Sequence, residues 1–316
     1  MKLDKITLVF IIIFLSITLF LRLDTNELSD ISLEKVEYSK ALESAVDDGV
    51  FSLVEVDKNK NFILTKENAV EQFFISLFAN FGVMGNRQKE ELLKLYIPLV
   101  LITDIDGFYI YYSSKVSIPT GETVLKKNWS EKYVFPFEEG NYIYYFTLGS
   151  EIKIFEKDTG KVYEGNFTEM DVLPHSLLEN SDRYEQVRKN TIINTIQEKM
   201  LYYINNHNRI AQEYGLQYHF WIPEVDTNDF YRTISDISMM VIFQGYPYRK
   251  SYETFNRYSF SGARIKKTRK YYITEINNIK YYHKEGCEDI VQEEDVYYTP
   301  EECALQGAFP CMKCFY

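Results

Sequence analysis

Residues 98–112 read PLVLITDIDGFYIYY. Two β-branched and aromatic runs flank Asp-Ile-Asp-Gly, which leaves two readings. Either the runs are neighbouring strands joined by a tight turn, or a lone strand presents Asp104 and Asp106 at its C-terminal end for chemistry. Asp-Gly is hairpin chemistry, so Asp106 and Gly107 are read as the turn, with Asp104 on the solvent face. The runs that follow, KYVFPF, NYIYYFTL, EIKIFE and KVYEG, are short and are separated by EEGN, GS and DTGK. That spacing predicts an antiparallel meander.

Helices flank the meander. Thr65 is a candidate cap for a helix carrying Val70, Phe73, Phe74, Leu77, Phe78 and Phe81 on one face and ending near Gly82. A second starts at Asn86, carries Leu92, Leu93 and Tyr96, and is stopped by Pro98. After the meander, apolar residues from Tyr184 to Ala211 recur at helical spacing between Ser181 and Gly215, and the strand-like YHFWIPEV and SMMVIFQGY follow. The fold class expected is α+β, with helices packed on an antiparallel meander.

The first residues read differently. ITLVFIIIFLSITLFLRL, from Ile6 to Leu23, has no charge before Arg22 and matches the length of a helix across a ~30 Å hydrocarbon core. Lys2 and Lys5 precede it and acids follow, so the positive-inside tendency places the N-terminus in the cytoplasm and the rest outside. No small-x-small cleavage site follows, which favours a retained signal-anchor over a cleaved signal peptide. The expectation is a single-pass protein of the cell membrane that contacts lipid through this helix. Residues 31–56 continue as an amphipathic helix weakened at Gly49, with a bend or break near Asp24.

The chain has 316 residues, 46% of them hydrophobic, enough for a sizeable core. A formal net charge of −11 argues against nucleic acid as a partner, because phosphate binding calls for a basic patch. The basic run Arg264 to Lys270 is read as a solvated face. His175, His207 and His219 stand apart, without acids at ligand spacing, and are read as surface or packing residues.

All four cysteines lie in the last 30 residues. Three residues separate His283 from Cys287 and two separate Cys311 from Cys314, and such paired donors are the usual way to build a tetrahedral Zn²⁺ site. Two disulfides, or a redox pair at Cys311 and Cys314, are the alternatives in an oxidising exterior. Between the pairs, Thr299 as cap, Pro300, Glu302 and Gly307 outline a short helix in which Cys303 is read as a packing residue. The expected ligands are His283, Cys287, Cys311 and Cys314 around one structural Zn²⁺.

H-x3-C, YYTPEECALQG and PCMKC together resemble the small zinc-binding module of the Ada family, over roughly residues 271–316. In that family the first cysteine of a C-x3-C pair accepts a methyl group from DNA phosphotriesters. Here His283 stands in that place, and a neutral imidazole cannot replace the thiolate. The resemblance implies a zinc-stapled fold without the repair chemistry.

LVLITDIDG also resembles the opening of haloacid-dehalogenase-type phosphatases, which implies Asp104 as nucleophile, Asp106 as acid–base and Mg²⁺ between them. The Thr or Ser and the α/β continuation of that family do not follow. The whole layout resembles that of pilin-like and pseudopilin-like proteins. Together these readings predict a chain of three parts: tip and anchor, 1–24; extracytoplasmic α+β domain, 25–270; Ada-like module, 271–316. The expected role is a non-enzymatic component of a surface, secretion or pilus-like assembly with protein partners. A phosphatase and a ligand-sensing ectodomain are the alternatives.

Overall fold

The structure is a computed structural model describing residues 2–315 except 57–61, 118–122, 217, 223–230, 232–235, 250–251, 264–270, 277–278, 285–286, 288, 291–295 and 298–299. Within helices and strands, the side chains of 2–9, 11–12, 19–29, 56, 62, 123, 296, 301 and 315 also lie outside the description. The basic run 264–270 and the cap expected at Thr299 are therefore outside the described residues. The chain forms two compact units, Met1–Ala263 and Arg264–Tyr316.

The first unit opens with α1, Lys2–Phe51, an uninterrupted helix of 50 residues with no break at Asp24. Among the described residues no helix is long and apolar enough to cross a membrane, so the transmembrane signal-anchor and the single-pass location do not stand. Further along, α1 buries Tyr38, Leu42, Ala45, Val46 and Val50. Gly49 lies inside the helix: a Cβ there would stand 2.9 Å from both the Ala69 carbonyl oxygen and Met239 Sδ. It is a point of close approach, where a side chain would push α1 off its neighbours.

A short hairpin, β1 (Val54–Val56) and β2 (Phe62–Leu64), leads to α2 (Lys66–Asn80) and α3 (Arg87–Leu95). Asn86 caps α3, its side chain accepting from the Lys89 amide at 3.2 Å. Thr65 does not cap α2; its hydroxyl donates to the Ser52 carbonyl at 2.7 Å. The main sheet has five antiparallel strands: β3 (Leu99–Asp104), β4 (Gly107–Ser117), β5 (Thr123–Trp129), β10 (Ser238–Pro247) and β11 (Thr254–Gly262). Their order is β11-β10-β3-β4-β5. Residues 135–166 form a separate four-stranded meander, β6 (Phe135–Glu139), β7 (Tyr142–Phe146), β8 (Glu151–Glu156) and β9 (Val162–Asn166).

The expected single meander is thus two sheets: β5 pairs with β4 where β6 was expected, and β10 joins the other edge at β3 from about 135 residues downstream, pairing Ser238–Val241 with Thr103–Val100. The class is α+β with antiparallel sheets, as expected. Strands β3 and β10 are buried along nearly their whole length, as strands covered on both faces must be. One face packs on α1 and α2 through Tyr38–Phe255, Phe74–Tyr111 and Phe81–Phe243 ring contacts. The other shares a core with the meander and α4 (Ser181–Glu213), including Leu101, Ile110, Tyr144, Ile196, Met200 and Met240.

The second unit holds β12 (Tyr271–Ile276), β13 (Ile279–Lys284), β14 (Val296–Tyr297), α5 (Pro300–Leu305), β15 (Phe309–Pro310) and α6 (Met312–Phe315). Its sheet order is β14-β12-β13-β15, with β15 parallel to β13.

Candidate metal centre

The second unit is too small for a large core. Its buried apolar centre is Tyr271, Cys303 and Ala308, with Ile273, Tyr282 and Tyr297 packed around them. Something besides burial is needed to hold so small a unit together. The β12–β13 hairpin runs antiparallel from Tyr271↔Lys284 to Ile276↔Ile279 and ends by presenting His283. The Cys287 amide donates to the Lys284 carbonyl at 3.1 Å, and Cys287 stands beside that histidine. The second pair arrives by β15: Tyr282 pairs with Pro310, and the Cys311 amide donates to the Tyr282 carbonyl at 3.0 Å. Cys314 follows on α6, its Sγ accepting from the Lys284 amide at 3.4 Å.

One donor atom from each of His283, Cys287, Cys311 and Cys314 lies within 4.8 Å of the other three, so this group could hold a metal ion. Four ligands about 2.3 Å from a central ion would stand roughly 3.8 Å apart, so the cluster needs only slight contraction. His283 Nδ1 is already 3.3 Å from Cys287 Sγ. His283 is 1% exposed, Cys311 is buried, and Cys287 and Cys314 are half-buried.

The electrostatics suit a cation. Burial pushes the Cys311 thiol upward, but the Lys313 and Cys314 amides and the neighbouring thiols outweigh it and hold the thiol below its ordinary value. Cys314 is pushed up to about 11 by burial and by those same thiols. Burial lowers His283, which keeps the imidazole neutral and able to ligate. Cys303 is not among the grouped donors; it is fully buried, and burial and Glu302 raise it to about 11, the behaviour of a packing thiol.

Two residues that the sequence did not flag matter here. Thr274 Oγ1 lies 2.6 Å from His283 Nε2. Thr274 and His283 are diagonal neighbours on one face of the hairpin, a relation set by the register of β12 on β13. Lys132 is the other. Its ammonium lies 2.7 Å from Asp104 Oδ2 and also pairs with Asp106. Burial would lower Lys132, but the two carboxylates hold it above the ordinary lysine value.

The Asp104–Gly107 segment is a hairpin whose turn is Ile105-Asp106, one residue earlier than read from the sequence. Gly107 does not adopt positive φ; it is constrained because a Cβ would strike the Tyr133 carbonyl oxygen. The remaining histidines are scattered. His207 is buried with Nε2 2.8 Å from the Leu95 carbonyl, and His175 and His219 are exposed.

Comparison with known proteins gives no matching family model, no matching curated protein and no matching solved structure.

Proposed function

We propose that residues 271–316 form an Ada-like module stapled by one structural Zn²⁺, and that the chain acts as a non-enzymatic component of a protein assembly. The observation that carries this reading is the complete donor set: one imidazole and three thiols, all from protein, converge within 4.8 Å. Such a set fills a tetrahedron and leaves no position for water or substrate, which favours a structural ion over a catalytic one. Borderline-soft Zn²⁺ suits three thiolates and an imidazole better than Mg²⁺ or Ca²⁺, which prefer oxygen.

A non-enzymatic role is supported by the engagement of Asp104 and Asp106 with Lys132, which gives both acids a turn-stabilising part. A role in assembly is supported by Leu305, Phe309 and Met312, large apolar side chains exposed on the small unit.

Elemental analysis of protein purified under reducing conditions without added metal tests the zinc reading, with about one zinc per chain expected. Hydrolysis of a generic aryl phosphate that is lost in Asp104→Asn would overturn the non-enzymatic reading. Crosslinking in cells followed by mass spectrometry should recover the same partner proteins repeatedly; recovery of the chain alone would count against assembly.

A further inference from the structure

A histidine that ligates through Nδ1 needs its other nitrogen, Nε2, to carry the proton, and a buried N–H needs an acceptor. Among the described residues, His283 Nε2 lies against Thr274 Oγ1 at 2.6 Å, while Nδ1 faces Cys287 Sγ. Thr274 is itself buried on β12. Its place is set by the β12–β13 register, which puts Tyr281 opposite Thr274 and Tyr272 opposite His283.

We infer that Thr274 is the positioning residue of this metal centre, holding His283 with Nδ1 turned toward the three cysteines. The inference rests on the metal reading above and adds the residue that selects the ligating nitrogen.

A hydroxyl can serve this purpose because it both donates and accepts. Before metal arrives, the Thr274 O–H can donate to Nε2 while Nδ1–H points at Cys287 Sγ. When metal takes Nδ1, that nitrogen gives up its proton, Nε2 carries the ring's one N–H, and the bond to Thr274 runs the other way. One side chain therefore holds the ring in both states without moving it.

Replacing Thr274 by the isosteric valine keeps the volume and removes the partner; in the metal-bound state Nε2–H is then a buried donor without an acceptor, and nothing holds the ring with Nδ1 toward the cysteines. Affinity for Zn²⁺ should then fall ten- to hundredfold in Thr274→Val, as it commonly does when a group supporting a ligating histidine is removed. Thr274→Ser, which retains the hydroxyl, should restore most of it.

The experiment is a competition titration of Zn²⁺ against a chromophoric chelator on full-length wild type, Thr274→Val and Thr274→Ser. It is paired with long-range ¹H–¹⁵N correlation spectra of the zinc-loaded wild type, which report the His283 tautomer without relying on a variant. The expected result is a metal-bound Nδ1, a protonated Nε2, and the order wild type, Ser, Val in affinity. Zinc bound through Nε2, or equal affinity in all three chains, would overturn the role of Thr274 while leaving the metal centre standing. A wild type that binds no zinc would overturn the metal reading, and this inference with it.

Discussion

His207 sits on α4 with its ring edge-on to Phe220, 4.8 Å between centroids, and Nε2 on the Leu95 carbonyl. Burial and the Lys127 ammonium lower its pKa from 6.5 to about 3. The unfolded chain therefore takes up a proton that the fold refuses. Stability from this group is complete above the unfolded value near 6.5 and is lost as pH falls toward about 3. In urea titrations at successive pH values, His207→Gln should flatten that acid limb relative to wild type; an unchanged slope would show that other groups produce it.

Gly107 supports a second residue-scale expectation. Gly107→Val drives a branched side chain into the Tyr133 carbonyl and should cost about 1–3 kcal/mol, as overpacking does. Asp104→Asn weakens a partly exposed ion pair and should cost less than about 1 kcal/mol. Thermal melts of the two variants should separate clearly, with the glycine change the larger. At this scale the four metal donors were legible because each pair is local in sequence. Thr274 was not, because its part depends on strand register.

At the scale of elements, β10 shows what sequence patterns carry and what they omit. Its pairing with β11 shifts between Gln244 and Tyr246, leaving Gly245 as an extra residue at φ 80°. This bulge returns Tyr246 to the face of Phe243, where its ring meets those of Phe81 and Tyr38. A Cβ at Gly245 would lie 2.5 Å from the Tyr218 ring. Gly245→Ala should therefore destabilise the first unit by about 1–3 kcal/mol in chemical denaturation; a neutral result would mean that strand and ring yield together.

The helices α2, α3 and α4 were readable to within a few residues because their buried faces recur at helical spacing. The sheet order was not, because the β3–β10 pairing joins segments about 135 residues apart and leaves no local trace. The anchor expected from Ile6–Leu23 rested on the length of an apolar run and the charges that flank it. That run is one end of a 50-residue helix, α1, whose other end packs against α2 and the main sheet.

For the whole molecule, the two units differ in what holds them. Met1–Ala263 has an extended core shared by the main sheet, the meander and α4, whereas among the described residues Arg264–Tyr316 has a small apolar cluster of Tyr271, Cys303 and Ala308 beside a group of metal-type donors. If the donors hold zinc, ion binding supplies much of the folding free energy of the small unit and little of that of the large one. Chelation by EDTA should therefore remove amide protection from residues 264–316 in hydrogen exchange and leave the large unit protected. Cys311→Ser should do the same without chelator, and Cys303→Ala should not. Because the thiols must lose protons to bind, affinity should also fall as pH is lowered below 7.

The most direct test is native mass spectrometry of the full chain purified under reducing conditions, with elemental analysis of the same sample. One zinc ion per chain with four unoxidised cysteines, lost on Cys311→Ser, is the result predicted here. A metal-free chain carrying two disulfides would contradict it.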